Sequence, residues 1–448
     1  MWFEWALLPQ GWAAHVRISS AQGRIVAVET GVPPAATDER HANALPGLPN
    51  LHSHAFQRGL AGRTEQRGSQ ADSFWSWRGL MYRFVERLDP DSFEALTAFA
   101  FAEMLEAGYT RVGEFHYLHR DERGQSYTDP AELCARVAAA ASDSGIALTL
   151  LPVFYAHAGF GGLAPSERQR RFITDPEGFA VVLDGARQAL HTLAGAVLGV
   201  APHSLRAVTA AELRAVLELV PDGPVHVHIA EQMQEVTECV AWCGRRPIEW
   251  LLAEAQVGER WCLVHATHAT AAELAGIACS RAVVGLCPST EANLGDGIFP
   301  AAEFSALAGR YGVGSDSNVR LDAAEELRLL EYSQRLAVRC RNVLAAPGAS
   351  TGRSLFDAAL RGGTQALRGA GVPAGLQVGA PCDLLTLRSL DGVAASGDEL
   401  LDGWIFNGGR AAVDSVWCAG VKVVSGGRHY ARERLQARYA KALRQLIG

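Results

Sequence analysis

Short apolar runs separated by stretches of helical periodicity recur through the middle of the chain. The first run, residues 45–56, ends in His52-Ser53-His54. A helical pattern at 92–107 then leads to a strand at 109–117, a helix at 130–144 to a strand at 146–155, and a helix at 176–190 to a strand at 196–203. The helix 210–219 precedes a strand at 224–230, the helix 247–255 a strand at 261–266, and the helix 271–278 a strand at 282–288; the eighth strand is 311–316. Apolar runs this short, alternating with helices, indicate parallel strands buried on both faces. Eight such units over roughly 270 residues fit a closed (β/α)8 TIM-like barrel of ordinary size. A doubly wound open sheet is the rival arrangement.

The two ends of the chain follow a different pattern. Residues 2–32 alternate and carry turn signals, as do 380–387 and 413–424, where Gly426-Gly427 closes the run. These segments predict short antiparallel strands from both termini meeting in one small composite β domain, followed by an amphipathic helix at 431–446. The expected division is 1–44 for the N-terminal part of the β domain, 45–375 for the barrel, and 376–448 for the C-terminal part with its helix. Neither an internal repeat nor a low-complexity linker interrupts this plan.

Composition narrows the function classes. Of 448 residues, 48% are hydrophobic and 20% charged, the balance of a globular chain with a large core. A net charge of -7 argues against a nucleic-acid partner, which calls for a basic field. No apolar run approaches the ~20 residues needed to span a bilayer, and the start, Met1 to Gln10, with Glu4 and no basic residue, lacks the charged region of a secretory signal. A cytoplasmic enzyme is the expectation. The nine cysteines contain no CxxC pair and predict free thiols, although Cys239 and Cys243 share a helical spacing. Lysine is confined to Lys422 and Lys441.

In a barrel, chemistry gathers at the carboxyl ends of the strands. His52 and His54, two apart on strand one, share a face. Strand five ends in His228, followed by Glu231; strand six ends in His265 and strand eight in Asp316. Ionisable groups are costly to collect at one mouth without a function. His226, on the same face as His228, reads as an interior residue one layer deeper. His119, His157 and His268 lie near the mouth without an assigned role. Three imidazoles and a carboxylate, His52, His54, His228 and Asp316, suit a borderline divalent metal such as zinc, and the same donors accommodate iron or manganese.

The HxH of strand one, the histidines of strands five and six and the aspartate of strand eight resemble the amidohydrolase superfamily, over nearly the whole chain. Its two-metal members bridge their metals through a carboxylated lysine. Strand four here reads Leu198-Gly-Val-Ala-Pro-His203 and the barrel holds no lysine, which implies one metal per chain. His228-Ile-Ala-Glu231 is similar to the H-x-x-E of the deaminase branch. That resemblance implies a proton shuttle at Glu231, a metal ligand that also holds the attacking water at Asp316, and a non-ligand at His265 that stabilises the tetrahedral intermediate. Residues 45–58, 72–78 and 201–208, with 114–117 and 314–318, resemble the formimidoylglutamate deiminases, whose reaction converts N-formimidoyl-L-glutamate and water to N-formyl-L-glutamate and ammonia.

Such a substrate carries two carboxylates and calls for fixed cations, which arginine supplies bidentately. Arg206 follows strand four and Arg78 lies in the aromatic-rich loop after strand one; Gln57, Tyr117 and His203 add neutral donors. Trp75 and Trp77 either cover the site or pack beneath it. Two other readings stand beside this one: an aminohydrolase acting on a purine, pyrimidine or triazine ring, and a non-catalytic barrel that binds a partner. Relatives of this layout often pair, which makes a homodimer the expectation.

Overall fold

The computed structural model describes residues 1–67, 72–369, 371–390, 392 and 395–447. Eight parallel strands occupy its centre. In chain order they are Leu48–Ser53, Tyr109–His116, Ala147–Phe154, the fragments Val197–Leu198 and Ala201–Pro202 counted together, Val225–Ile229, Trp261–His265, Val283–Leu286 and Arg310–Val313. Strands one to four pair in sequence and strands five to eight do the same. Bridges Val200–Val225 and Ser204–His228 join strand four to strand five, and Ser53–Asp316 joins the end of strand eight to strand one. Each strand is therefore connected to the next around a ring. Every residue of strands one, two, five, six and seven is buried, as expected for apolar runs covered on both faces.

Local chemistry starts the helices between them. Pro90–Glu106 and Pro176–Leu190 place proline in the first turn, and their preceding aspartates, Asp89 and Asp175, accept the backbone N–H groups of Ser92 and Gly178, both at 2.7 Å. Thr209 and Thr270 form capping boxes with Glu212 and Glu273 at the starts of Ala210–Glu218 and Ala271–Ser280. Helix Thr351–Arg368 ends against the interior of the ring, where Ala366 and Leu367 share a buried cluster with Leu51, Cys262, Val264, Val283 and Cys287. His226, fully buried, donates from Nε2 to the Ala366 carbonyl at 2.9 Å.

A second sheet draws strands from both termini. Its order is Arg428–His429, Val421–Ser425, Val413–Cys418, Leu384–Leu387, Arg40–Pro46, Trp2–Leu8, Gly11–Ala21 and Arg24–Glu29. Helix Arg432–Ile447 follows it and buries Leu435, Leu443 and Leu446.

The structure differs from the linear pattern in several places. The apolar run 45–56 is two strands, because the chain leaves the composite sheet at Pro46 and enters strand one at Leu48. Gly47 permits the passage: a Cβ there would stand 2.1 Å from Thr110 Cγ2. The strand expected at 196–203 is broken into two fragments around Gly199, where a Cβ would meet Leu151 Cδ2 and the Pro224 carbonyl at 2.6 Å. The aromatic-rich segment after strand one is not a loop but the helix Phe74–Val85. Helices Met233–Cys243, Ala323–Val338 and Thr351–Arg368 were not part of the pattern read above.

Candidate active site

The carboxyl ends of strands one, five, six and eight bring their polar residues to one place. Two backbone bonds align strand one with the segment after strand eight: Asp316 N–H donates to the His52 carbonyl and His54 N–H to the Asp316 carbonyl, both at 2.9 Å. His228 N–H is tied to the His203 carbonyl at 3.1 Å, which fixes strand five against the end of strand four.

His52 Nε2 lies 3.3 Å from His54 Nε2 and 3.0 Å from His228 Nε2. Asp316 Oδ1 lies 3.5 Å and 3.3 Å from the Nε2 atoms of His52 and His54. The ligand atoms of these four buried residues all lie within 4.8 Å of one another. Two rings are held from behind, since His54 Nδ1 donates to the Phe115 carbonyl at 2.9 Å and His228 Nδ1 to the His203 carbonyl at 3.1 Å. A ring that spends its proton at Nδ1 presents a bare lone pair at Nε2. Burial lowers the imidazoles of His52, to about 3, and of His54 and His228, so all three are neutral, the form that ligates. Burial opposes the charge of Asp316, but contact with the rings of His52 and His54 outweighs it and keeps the carboxylate below its usual range. Lone pairs and a carboxylate facing one another this closely repel unless a cation stands among them. The residues therefore fit a metal ion.

Glu231 and His265 stand beside this cluster. Burial raises the Glu231 carboxyl to about 7, with Asp316 and Glu235 adding to the rise and His265 and Arg206 opposing it. A carboxyl poised near neutrality can both take and return a proton. His265 Nε2 is 3.7 Å from Glu231 Oε1 and 3.6 Å from Asp316 Oδ2. Burial disfavours a charge on His265, yet Glu231, Glu291 and Asp316 carry its pKa up to about 10.

One cavity is lined by His54, His228, Glu231, His265 and Asp316 together with Gln57, Arg78, Tyr117, His203 and Arg206. Of the metal, catalytic and substrate-binding residues expected from sequence, His52 alone lies outside that lining, fully buried. Gln57 Nε2 donates to the Tyr117 hydroxyl at 2.8 Å, while its Oε1 is buried with no partner. Arg78 Nε donates to the Tyr82 hydroxyl at 2.6 Å. Arg206 Nε is buried without a partner, and its nearest carboxylate contact, NH2 to Glu235 Oε2, is 3.9 Å. Both guanidiniums lie over the Trp75 ring, at 5.3 Å and 5.8 Å. Burial, then Arg206 and Arg78, keep His203 neutral. Trp77 lines the cavity and Trp75 supports the arginines, so the two tryptophans divide the alternatives left open above.

The structure adds Tyr82, Tyr155 and Phe172 to the lining, and Glu235 and Glu291 behind it. These come from elements far apart in the chain, with no spacing that marks them. His119 donates from Nε2 to the Val153 carbonyl and His157 pairs with Glu212, and neither lines the cavity.

Comparison with known proteins gives the family. The amidohydrolase family profile matches residues 43–422, and the N-terminal domain profile of formimidoylglutamate deiminase matches residues 2–42. The chain is 52% identical to the formimidoylglutamate deiminase of Pseudomonas aeruginosa, covering 99% of this chain and 98% of the relative. It superposes on the crystal structure of an amidohydrolase from Brucella melitensis with a TM-score of 0.97 and 54% identity, covering 100% of this chain and 99% of the other. A zinc-bound adenosine deaminase from Xanthomonas campestris, 22% identical, shares the fold with a TM-score of 0.79 over 100% of this chain and 98% of its own. The chain belongs to the amidohydrolase family, among the formimidoylglutamate deiminases.

Proposed function

We propose that the protein hydrolyses N-formimidoyl-L-glutamate to N-formyl-L-glutamate and ammonia, a step of histidine degradation. The observation that carries this reading is one cavity holding both the His52, His54, His228 and Asp316 cluster with Glu231 and two guanidiniums that, among the described residues, hydrogen-bond no protein carboxylate. Flat neutral ring substrates have no use for two such cations, whereas the glutamate part of this substrate brings two carboxylates to them.

His52, His54, His228 and Asp316 hold one divalent metal, zinc before iron or manganese, for the donor set is three nitrogens and one oxygen. Bound there, the metal supplies Lewis acidity, bringing the pKa of a water down towards neutrality. Glu231 takes the two protons of the attacking water in turn and passes each to the amidine nitrogen, so that the oxygen stays on the formimidoyl carbon and the C–N bond breaks with release of ammonia. Asp316 orients the water and His265 stabilises the charge that develops at the carbon's new oxygen. Arg206 and Arg78 grip the carboxylates, while Gln57, Tyr117 and neutral His203 direct the amidine towards Glu231.

The eight-strand ring works as a (β/α)8 barrel over residues 45–375, flanked by the composite β domain of 1–44 and 376–448; the strand Arg40–Pro46 carries that domain two residues past the first boundary. Among the described residues no helix is long and apolar enough to cross a membrane. The reading extends to a cytoplasmic homodimer with no nucleic-acid partner, which light scattering and a salt-dependent binding assay check. Ammonia release from N-formimidoyl-L-glutamate, measured beside guanine and cytosine, tests the activity; turnover of a ring amine in preference to the linear amidine overturns it.

A further inference from the structure

We infer that Glu291 is a positioning residue for this reaction, holding the His265 ring in the one orientation that keeps Nδ1 tied behind it and turns Nε2 towards the reacting atoms. Glu291 sits on the helix Pro288–Leu294, immediately after strand seven, and is 6% exposed. Its Oε1 receives the backbone N–H of Cys287 at 2.9 Å and lies 3.2 Å from His265 Nδ1. A backbone N–H can only donate, so the oxygen it meets is an acceptor, and the ring proton shared with that oxygen belongs to Nδ1. Nε2 is then the nitrogen facing Glu231 Oε1 and Asp316 Oδ2.

The tether has a structural reason. His265 adopts φ +68°, and Ala266 after it φ +49°, so strand six leaves its extended path at the residue whose ring must be aimed. The ring is not fixed by strand geometry there, and the bond from Glu291 references it to the backbone of strand seven through Cys287. A carboxylate behind an imidazole both fixes the ring's orientation and stabilises charge on it, the division of labour known from serine hydrolases. Glu291 has no place in the cavity lining and acts only through His265.

The inference rests on the hydrolytic reading above, and its test separates the two. Glu291→Gln keeps an acceptor for both N–H groups but removes the charge. In the metal-loaded enzyme, kcat on N-formimidoyl-L-glutamate is expected to fall about 10–100-fold with KM and metal content unchanged. In a His265→Asn background the same substitution is expected to change kcat by less than about twofold, because its route of action is gone. Equal losses in both backgrounds overturn the inference. Nitrogen-15 histidine spectra of the zinc-loaded wild-type protein, with His265 assigned by its loss in His265→Asn, are expected to show the ring proton on Nδ1 at low field, moving upfield in Glu291→Gln. An Nδ1 that carries no proton overturns the inference even if Glu291→Gln does not fold. Should the wild-type enzyme leave N-formimidoyl-L-glutamate intact, the activity assignment fails while the spectra still decide the role of Glu291.

Discussion

Replacing Arg206 with methionine removes a charge while keeping an unbranched side chain of similar reach. Arg206 is 8% exposed, its Nε has no partner, and its approach to Glu235 at 3.9 Å is beyond hydrogen-bond distance. Its donors are therefore free for a substrate carboxylate, and in Arg206→Met that carboxylate meets an apolar thioether out of water. Truncating one partner of a buried charged pair costs about 2–5 kcal/mol. At roughly 1.36 kcal/mol per tenfold, kcat/KM falls by about 30-fold to several thousand-fold. The substitution also removes a charge that lowers the pKa of buried Glu235, so that carboxyl takes up a proton more readily. Protonation limits the damage to the fold, and metal content is expected to stay at the wild-type level. The assay compares ammonia release from N-formimidoyl-L-glutamate with release from a neutral formamidine lacking the glutamate part, on both enzymes. General damage cancels in that double comparison. If Arg206→Met weakens the two substrates equally, the arginine is structural and does not select the acid.

Other substitutions separate metal binding, proton transfer and fold. His54→Ala and His228→Ala are each expected to lose metal and activity together, read by elemental analysis beside the ammonia assay. Wild-type protein is expected to hold one metal equivalent per chain; two equivalents sharing a bridging ligand would refute the single-metal site. Glu231→Gln is expected to cut turnover by about 10²–10⁴-fold with metal retained, and a metal-free variant would place Glu231 among the ligands. Gly47→Ala drives a Cβ into buried Thr110 and is expected to lower stability by about 1–3 kcal/mol in urea unfolding, with metal binding intact.

The site was legible where a polar residue closes an apolar strand. His52, His54, His228, His265 and Asp316 stand out because they close or follow short buried strands whose residues are mostly apolar. Arg206 and Arg78 were legible as cations near strand ends, but their shared support on Trp75 depends on helix Phe74–Val85, whose aromatic run carries no clean periodicity. The boundary between the two sheets was hidden because Leu45 and Leu48 are equally apolar and only Gly47 separates their strands. Glu291 and Glu235 were invisible for a different reason. Each acts on a residue from another strand, at a separation of 26 residues for Glu291 and His265, and such a pairing exists only once the ring has formed.

Orientation at the mouth is a tertiary property, and the backbone shows why. Ala230, His265, Ala266 and Asp316 adopt φ values of +49°, +68°, +49° and +43°, in the left-handed region that costs non-glycine residues about 1–2 kcal/mol each. Glycine relieves this cost elsewhere in the chain, but at His265 and Asp316 the side chain is the functional group. Neighbouring segments supply the restraint instead: Ala230 N–H donates to Glu235 Oε1 on the following helix at 3.0 Å, Ala266 N–H to the Ile229 carbonyl at 3.0 Å, and Asp316 N–H to the His52 carbonyl at 2.9 Å. Each left-handed step breaks the alternation of its strand and redirects a side chain that regular pleating would send elsewhere. The linear pattern specifies which residue types end the strands. The direction in which they point is set by bonds between strands, so metal cluster, proton shuttle and arginines become one site only in the closed ring.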